Sequence, residues 1–156
     1  MPIRFPLALA HSVAVIALAA TLAAAQTAPQ APERRHIKLP GAGADLPFSD
    51  AVLLGDTLYL GGHLGLDPKT GQAPEDTGRE ARLLLDSMQA TLAAAGMTMD
   101  DLVWVQVSCS DLSLYSKFNA IYRTYFKKEF PARAFLGSAT LLRGAHFEVV
   151  GIAVKR

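Results

Sequence analysis

The sequence predicts an α+β domain in which one mixed β-sheet carries two helices packed on a single face. Three observations predict this class. The strand and helix patterns follow the order β-β-α-β-α-β-β, which differs from the strict alternation of a doubly wound parallel sheet. The last strands are apolar on both sides, so two helices would leave one apolar sheet face uncovered. The length, 156 residues, fits one domain.

The first two strands are predicted to form a hairpin. Residues 51–55 and 57–60 flank the dipeptide Gly55-Asp56, a pair typical of tight turns between antiparallel strands.

A first helix is predicted from Thr77, because Thr77-x-x-Glu80 has the spacing of a capping box, and Gly96 is expected to end it. A second amphipathic helix is predicted from about Ser113 to Phe126. The apolar residues of the first helix recur at helical spacing: Ala81, Leu84, Leu85, Met88 and Leu92.

Three more strands are predicted around the second helix. Residues 102–108 form one, with Val103, Val105 and Val107 expected on one face. Residues 132–138 and 146–154 form the other two, joined by a connection whose Gly144 suits a turn.

The N-terminal segment predicts that the protein is exported. Arg4 precedes an apolar run, and Ala23-Ala24-Ala25 resembles a cleavage site, so residues 1–25 are interpreted as a signal peptide and the protein as periplasmic. An uncleaved anchor is the alternative, although the run is short of the roughly 20 apolar residues that span a membrane. Residues 26–36 are predicted to form a flexible tether, and residues 37–156 the folded domain.

Charge, cysteine content and histidine spacing argue against nucleic-acid binding, intrachain disulfides and metal sites. Without residues 1–25, which contain only Arg4 as a charge, the remaining 131 residues carry 14 basic and 14 acidic side chains. This balance argues against nucleic-acid binding. The single Cys109 permits no intrachain disulfide. The four histidines lack metal-ligand spacing, so no metal or other cofactor is expected.

Arg133 and Glu148 are the strongest candidates for chemistry. Both lie in predicted strands. A guanidinium offers a planar fork of donors that fits a carboxylate, and a carboxylate can hold a water or move a proton. The pair therefore suits a small reactive organic acid. A structural salt bridge between the two residues, or a solvent-facing Glu148, is the alternative.

Several segments resemble the RidA/YjgF family of imine and enamine deaminases, in order and at matching spacing from about Ile37 to the C-terminus. Phe130-Pro131-Ala132-Arg133 followed by a Gly turn and Glu148 resembles the C-terminal signature of that family. The other matching segments are Pro47 to Val52, Leu58 to His63, Leu66 to Gly71 and Phe118 to Tyr122.

The resemblance implies a homotrimer with three clefts between neighbouring subunits. It assigns Arg133 to the carboxylate of a 2-imino acid and Glu148 to the water and the proton transfers. It also places Gly62 beside the ligand, where a residue without Cβ permits close approach, and Asn119 against the pocket. Asn119 could instead form a local cap.

Five positions depart from the family pattern: Phe48, Gly61, His63, Phe135 and Val150. Phe48 stands where the family usually has a tyrosine, and Phe135 stands where studied members have a cysteine. Both make the expected substrate pocket more apolar. His63 replaces a glutamine and is predicted to line the pocket or to serve the fold, because no nucleophile accompanies it.

The expected function is hydrolysis of 2-imino or 2-enamino acids to 2-keto acids and ammonia. A member of the family that binds small acids or partner proteins without catalysis is the first alternative, favoured by Phe48, Phe135 and export. A ribonuclease is the second, and the charge balance argues against it. The expected partners are a small 2-imino or 2-keto acid and further copies of the chain, with no nucleic acid and, after cleavage, no membrane.

Overall fold

A computed structural model describes residues 31–40 and 46–156 of the chain. Within it, Glu33–Arg156 form one compact unit. The predicted signal peptide and residues 26–30 lie outside the described residues. In the part of the chain that is described, no helix is both long enough and apolar enough to cross a bilayer.

One mixed sheet of six strands forms the centre of the domain, in the order β1-β2-β3-β6-β4-β5. β4 and β5 run parallel, and the other neighbouring pairs are antiparallel. The predicted fold class is thereby confirmed. The strands are β1 (Arg34–Ile37), β2 (Ala51–Leu54), β3 (Thr57–Leu64), β4 (Leu102–Cys109), β5 (Ala132–Gly137) and β6 (Phe147–Val154).

Strand β1 corrects the predicted tether. Residues 34–36, assigned to the flexible segment 26–36, pair with β2 in the register Arg34↔Leu54 to Ile37↔Ala51. Most of β1 is exposed, and only Ile37 is buried. An edge strand of this kind lacks the apolar alternation that sequence reading depends on.

The hairpin between β2 and β3 is confirmed. Leu54 pairs with Thr57 across a two-residue turn, and Gly55 has a φ of 57°. Glycine adopts this left-handed conformation without the steric penalty of a Cβ.

Helix α1 (Thr77–Ala94) follows β3, but its N-terminus differs from the predicted capping box. Asp76 is the N-cap, and its Oδ1 accepts a hydrogen bond of 2.9 Å from the Gly78 N–H. Glu80 turns away from the cap and is wholly buried. The predicted stop at Gly96 is confirmed, since Gly96 has a φ of 75° and the helix ends just before it.

Helix α2 (Tyr115–Tyr122) is shorter than predicted. The remaining residues of the predicted helix form 3₁₀ turns on either side, Leu112–Leu114 and Arg123–Tyr125. Asp111 caps the first turn, because its side chain accepts a hydrogen bond from the Ser113 N–H.

The core lies between the helices and one face of the sheet. Apolar side chains of α1 and α2 pack there against alternate residues of β3, β4 and β6. The opposite face is only partly covered, and Tyr59 and Leu136 on it are each 48% exposed. The largest fully buried side chains include Phe118, Phe147, Leu58, Leu84, Leu85 and Met88.

The predicted alternation in β4 holds for Val105 and Val107 but is wrong for Val103, which is half-exposed. The register between β4 and β6 shifts between Leu102 and Trp104, so Leu102 takes the buried position. Such a bulge reverses the faces on either side of it.

Candidate functional site

Arg133 lies in the edge strand β5 and faces the helical side of the sheet. It pairs with Val105, whose side chain is in the core. Its Nη2 donates a hydrogen bond of 2.7 Å to Oδ1 of Asn119 in α2. Its Cζ lies 4.7 Å from the centroid of the Tyr122 ring and 5.6 Å from that of Phe135. These contacts hold the guanidinium by one nitrogen and leave its other donors available.

A cleft of about 310 Å³ opens beside Arg133. Its wall combines aromatic rings with two guanidinium groups and contains no acidic side chain. Burial raises the pKa of Tyr122 to about 12, although Arg133 acts in the opposite direction, so this ring is neutral near pH 7. The lining residues are Tyr115, Asn119, Tyr122, Arg123, Phe130, Pro131 and Arg133.

Asn119 and Phe135, both predicted near the substrate, meet Arg133. Asn119 orients the guanidinium through the hydrogen bond just described. The Phe135 ring packs edge-on against Tyr115 and Phe118, with centroid distances of 4.9 and 5.7 Å. It fills space behind the guanidinium and lowers the local polarity, which strengthens a charge-assisted hydrogen bond made there.

Glu148 lies in β6, next to Gly62 of β3. A Cβ placed on Gly62 would lie 2.1 Å from Glu148 Oε1, which is too short for a non-bonded contact. Glycine is therefore required at this position for the carboxylate to take its place. The sequence analysis placed Gly62 beside a ligand and did not predict this contact with Glu148.

Arg133 and Glu148 lie on opposite faces of the sheet in one chain. Phe147 and Val149, on either side of Glu148, point into the core. Alternation along β6 then directs Glu148 to the face without helices. The two strands also lie on opposite sides of β4, where Arg133 pairs with Val105 and Glu148 with Ser108. A salt bridge between them, the structural alternative, is not formed.

Phe48 lies apart from both residues. It is 57% exposed and lines a broad, open cleft of about 520 Å³ near Tyr59 and Gly61. Gly61 belongs to the same stretch of β3 as Gly62, so this cleft borders the face on which Glu148 lies. Phe48 does not line the Arg133 cleft.

His63 is a core residue, so of its two predicted roles, lining the pocket or stabilising the fold, its burial supports the second. It is 5% exposed, and its Nδ1 lies 3.0 Å from Ser87 Oγ of α1. Burial lowers the pKa of His63 to about 4, with Asp50 acting weakly in the opposite direction. A neutral, enclosed imidazole of this kind cannot act as a surface acid or base near pH 7.

One structural feature next to Glu148 escaped the sequence analysis. The wholly buried Glu80 accepts hydrogen bonds from the N–H groups of His146 and Phe147, at 2.6 and 2.9 Å. Its Oε2 lies 2.7 Å from His146 Nδ1. This clamp fixes the start of β6, two residues before Glu148. The pattern Thr77-x-x-Glu80 was the only sequence signal, and it indicated a cap instead.

Among the described residues, no cluster of three or more His, Cys, Asp or Glu side chains could hold a metal ion. Cys109 is buried, and burial raises the pKa of its thiol. A thiol in this state is a poor nucleophile.

The profile of a family described as Endoribonuclease L-PSP matches residues 41–155. A human protein named 2-iminobutanoate/2-iminopropanoate deaminase is 37% identical over 119 residues, which cover 76% of this chain and 85% of the human protein. A protein of the same name from Escherichia coli K12 is 34% identical over 113 residues, covering 70% and 88%. The crystal structure of the E. coli YjgF gene product matches with a TM-score of 0.73 at 33% identity, covering 78% of this chain and 99% of that one.

Proposed function

This chain belongs to the RidA/YjgF family, to which the Endoribonuclease L-PSP profile corresponds, and on that premise we propose that it hydrolyses 2-imino acids to 2-keto acids and ammonia. The observation that carries the proposal is the state of Arg133. Its guanidinium lies at an aromatic cleft and forms no ion pair with a carboxylate among the described residues. A cation left in this state is suited to bind the carboxylate of a ligand.

Hydrolysis requires only substrate positioning and one acid–base group from the protein, because an imine carbon is already electrophilic. Arg133 binds the substrate carboxylate and fixes the orientation of that carbon. As water adds to the imine carbon, Glu148 accepts a proton from the water and passes it to nitrogen, which gives a carbinolamine. Glu148 then accepts the hydroxyl proton as the carbonyl forms, and returns it to nitrogen as the C–N bond breaks. One water is consumed, and one 2-keto acid and one ammonia leave, with no change of oxidation state in the protein.

We further propose that each site is shared between subunits of a homotrimer. A small substrate held by Arg133 is separated from Glu148 of the same chain by the sheet itself. The sheet face that carries Glu148 is the one without helices, where Tyr59 and Leu136 are half-exposed. An apolar sheet face of this kind is typical of a subunit interface, and a neighbouring copy can supply the second residue there.

Two features distinguish this proposal from a ribonuclease. Residues 26–156 have balanced charge, with 14 basic and 14 acidic side chains. The Arg133 cleft provides only two cations in a volume of about 310 Å³. A binding groove for RNA requires an extended basic track for the phosphates.

The test of the proposed function is the decay of 2-iminopropanoate, generated in situ from alanine by an amino-acid oxidase. The wild-type protein should accelerate the decay in proportion to its concentration, with pyruvate and ammonia formed in equal amounts. Heat-denatured protein is the control. If the native protein binds pyruvate but leaves the decay of the imine unchanged, the non-catalytic binding protein replaces the deaminase.

We also propose that the protein is exported, on the basis of Arg4, the following apolar run and Ala23-Ala24-Ala25. N-terminal sequencing of the protein purified from its native host tests this. The mature chain should begin at or near Gln26. A chain that begins at Met1 or Pro2 would contradict cleavage.

A further inference from the structure

The cleft at Arg133 contains a second guanidinium that the proposed reaction does not use. Arg123, at the end of α2, lines the same cleft, and its Cζ lies 5.9 Å from the centroid of the Phe130 ring. Neither arginine forms an ion pair within the described part of the chain. The cleft therefore presents two cations and no neutralising carboxylate.

The surface between the two cations is aromatic. The rings of Tyr122 and Phe130 are stacked, with centroids 6.5 Å apart, and each ring is adjacent to one guanidinium. Arg133 lies over Tyr122, and Arg123 lies over Phe130. This arrangement suits a short carbon chain with an anionic group at each end.

We propose that the substrates of this protein are 2-imino dicarboxylic acids, with Arg133 binding the carboxylate next to the imine and Arg123 binding the side-chain carboxylate. This substrate class rests on the proposed function, because it concerns the same site. For 2-iminobutanedioate, water adds to the imine carbon, the C–N bond breaks, and 2-oxobutanedioate and ammonia are released. Arg123 touches only the second carboxylate and takes no part in the proton transfers.

An aromatic imino acid is the competing substrate, because the cleft contains the rings of Tyr115, Tyr122 and Phe130. The apolar side chain of such a substrate would cover the Arg123 guanidinium without supplying an anionic partner. Removing a cation from water without a partner is unfavourable. A second carboxylate instead gains a charge-assisted hydrogen bond. The charge of the cleft thus favours the dianion.

The test compares kcat/KM for three imines generated in situ by amino-acid oxidases from aspartate, alanine and phenylalanine. Wild-type protein should prefer the aspartate-derived imine over the alanine-derived imine by about tenfold or more, the range of one hydrogen bond to a charged group. Arg123 is exposed, so Arg123→Gln should lower this preference by up to about fivefold, with the loss falling on the dicarboxylate. Lys127→Gln is the matched control, since Lys127 is exposed and lines a different cleft.

The outcomes separate this inference from the proposed function. If the wild type hydrolyses the alanine-derived or phenylalanine-derived imine best, the dicarboxylate assignment is wrong while the deaminase stands. The assignment is equally wrong if Arg123→Gln slows all three imines to the same degree, or if Lys127→Gln changes the preference as much. If the wild type accelerates the decay of none of the three, the deaminase and its substrate class fail together.

Discussion

Arg133→Ala should reduce the catalysed hydrolysis of 2-iminopropanoate by at least about a hundredfold. The substitution removes the guanidinium fork that binds the substrate carboxylate. It also frees the Asn119 amide and opens space between the Tyr122 and Phe135 rings. The imine carbon then loses its fixed orientation, so kcat should fall. The substrate carboxylate loses its charge-assisted hydrogen bonds, so KM should rise. Steady-state kinetics over a range of imine concentrations measures both.

The control for this prediction is Arg82→Ala, which removes an exposed guanidinium from α1, away from the Arg133 cleft. It should leave the rate close to that of the wild type. Equal catalysed rates for the wild type and Arg133→Ala would remove Arg133 from the site, and equal rates at the level of the uncatalysed decay would favour the binding-protein alternative.

Glu80→Ala should lower the free energy of unfolding by about 3–5 kcal/mol. It leaves the N–H groups of His146 and Phe147 without their acceptor and opens a cavity under β6. Glu80→Gln should cost far less, about 1 kcal/mol, because its amide oxygen can accept the same two hydrogen bonds. Glu80→Gln measures the loss of the charge alone, and the further loss in Glu80→Ala measures the two hydrogen bonds together with the cavity.

Chemical denaturation at one fixed protein concentration measures this effect, because the stability of the proposed trimer would depend on concentration. Glu75→Ala, which truncates an exposed carboxylate before the same helix, is the matched control and should be near neutral. A Glu80→Ala protein as stable as the wild type would show that the clamp contributes nothing to the fold.

The sequence predicted the fold class and singled out Arg133 as a candidate site residue, because both leave local patterns. Apolar periodicity marks α1 and the inner faces of the strands, and the segment Phe130 to Arg133 is a contiguous motif. The hairpin at Gly55 was predicted for the same reason. Signals of this kind depend only on neighbours along the chain.

The errors arose where tertiary structure overrides local pattern. A register shift between Leu60 and His63 inserts an extra residue opposite β6. This bulge sends His63 into the core and leaves Gly62 on the open face beside Glu148. Glu80 was assigned to a cap because capping and burial share one sequence spacing. Only the packed structure shows that the Glu80 carboxylate accepts hydrogen bonds from the backbone at the start of β6.

The separation of Arg133 from Glu148 could not be derived from the sequence either. Both residues were correctly placed in neighbouring segments of the chain, but β4 lies between their strands in the sheet. Which face each side chain takes depends on the register with β4, and this register has no local signature. The consequence that we propose is a site that one chain cannot complete.

Intersubunit complementation tests that claim most directly. Arg133→Ala and Glu148→Gln, each expected to be inactive alone, are co-expressed with different affinity tags, and assemblies that contain both are isolated. In a trimer with shared sites, one of the three sites then combines an intact Arg133 with an intact Glu148 of another subunit. The mixed assembly should therefore recover about one third of the wild-type rate. Activity no higher than that of either variant alone, in assemblies shown to contain both subunits, would contradict a site shared between subunits.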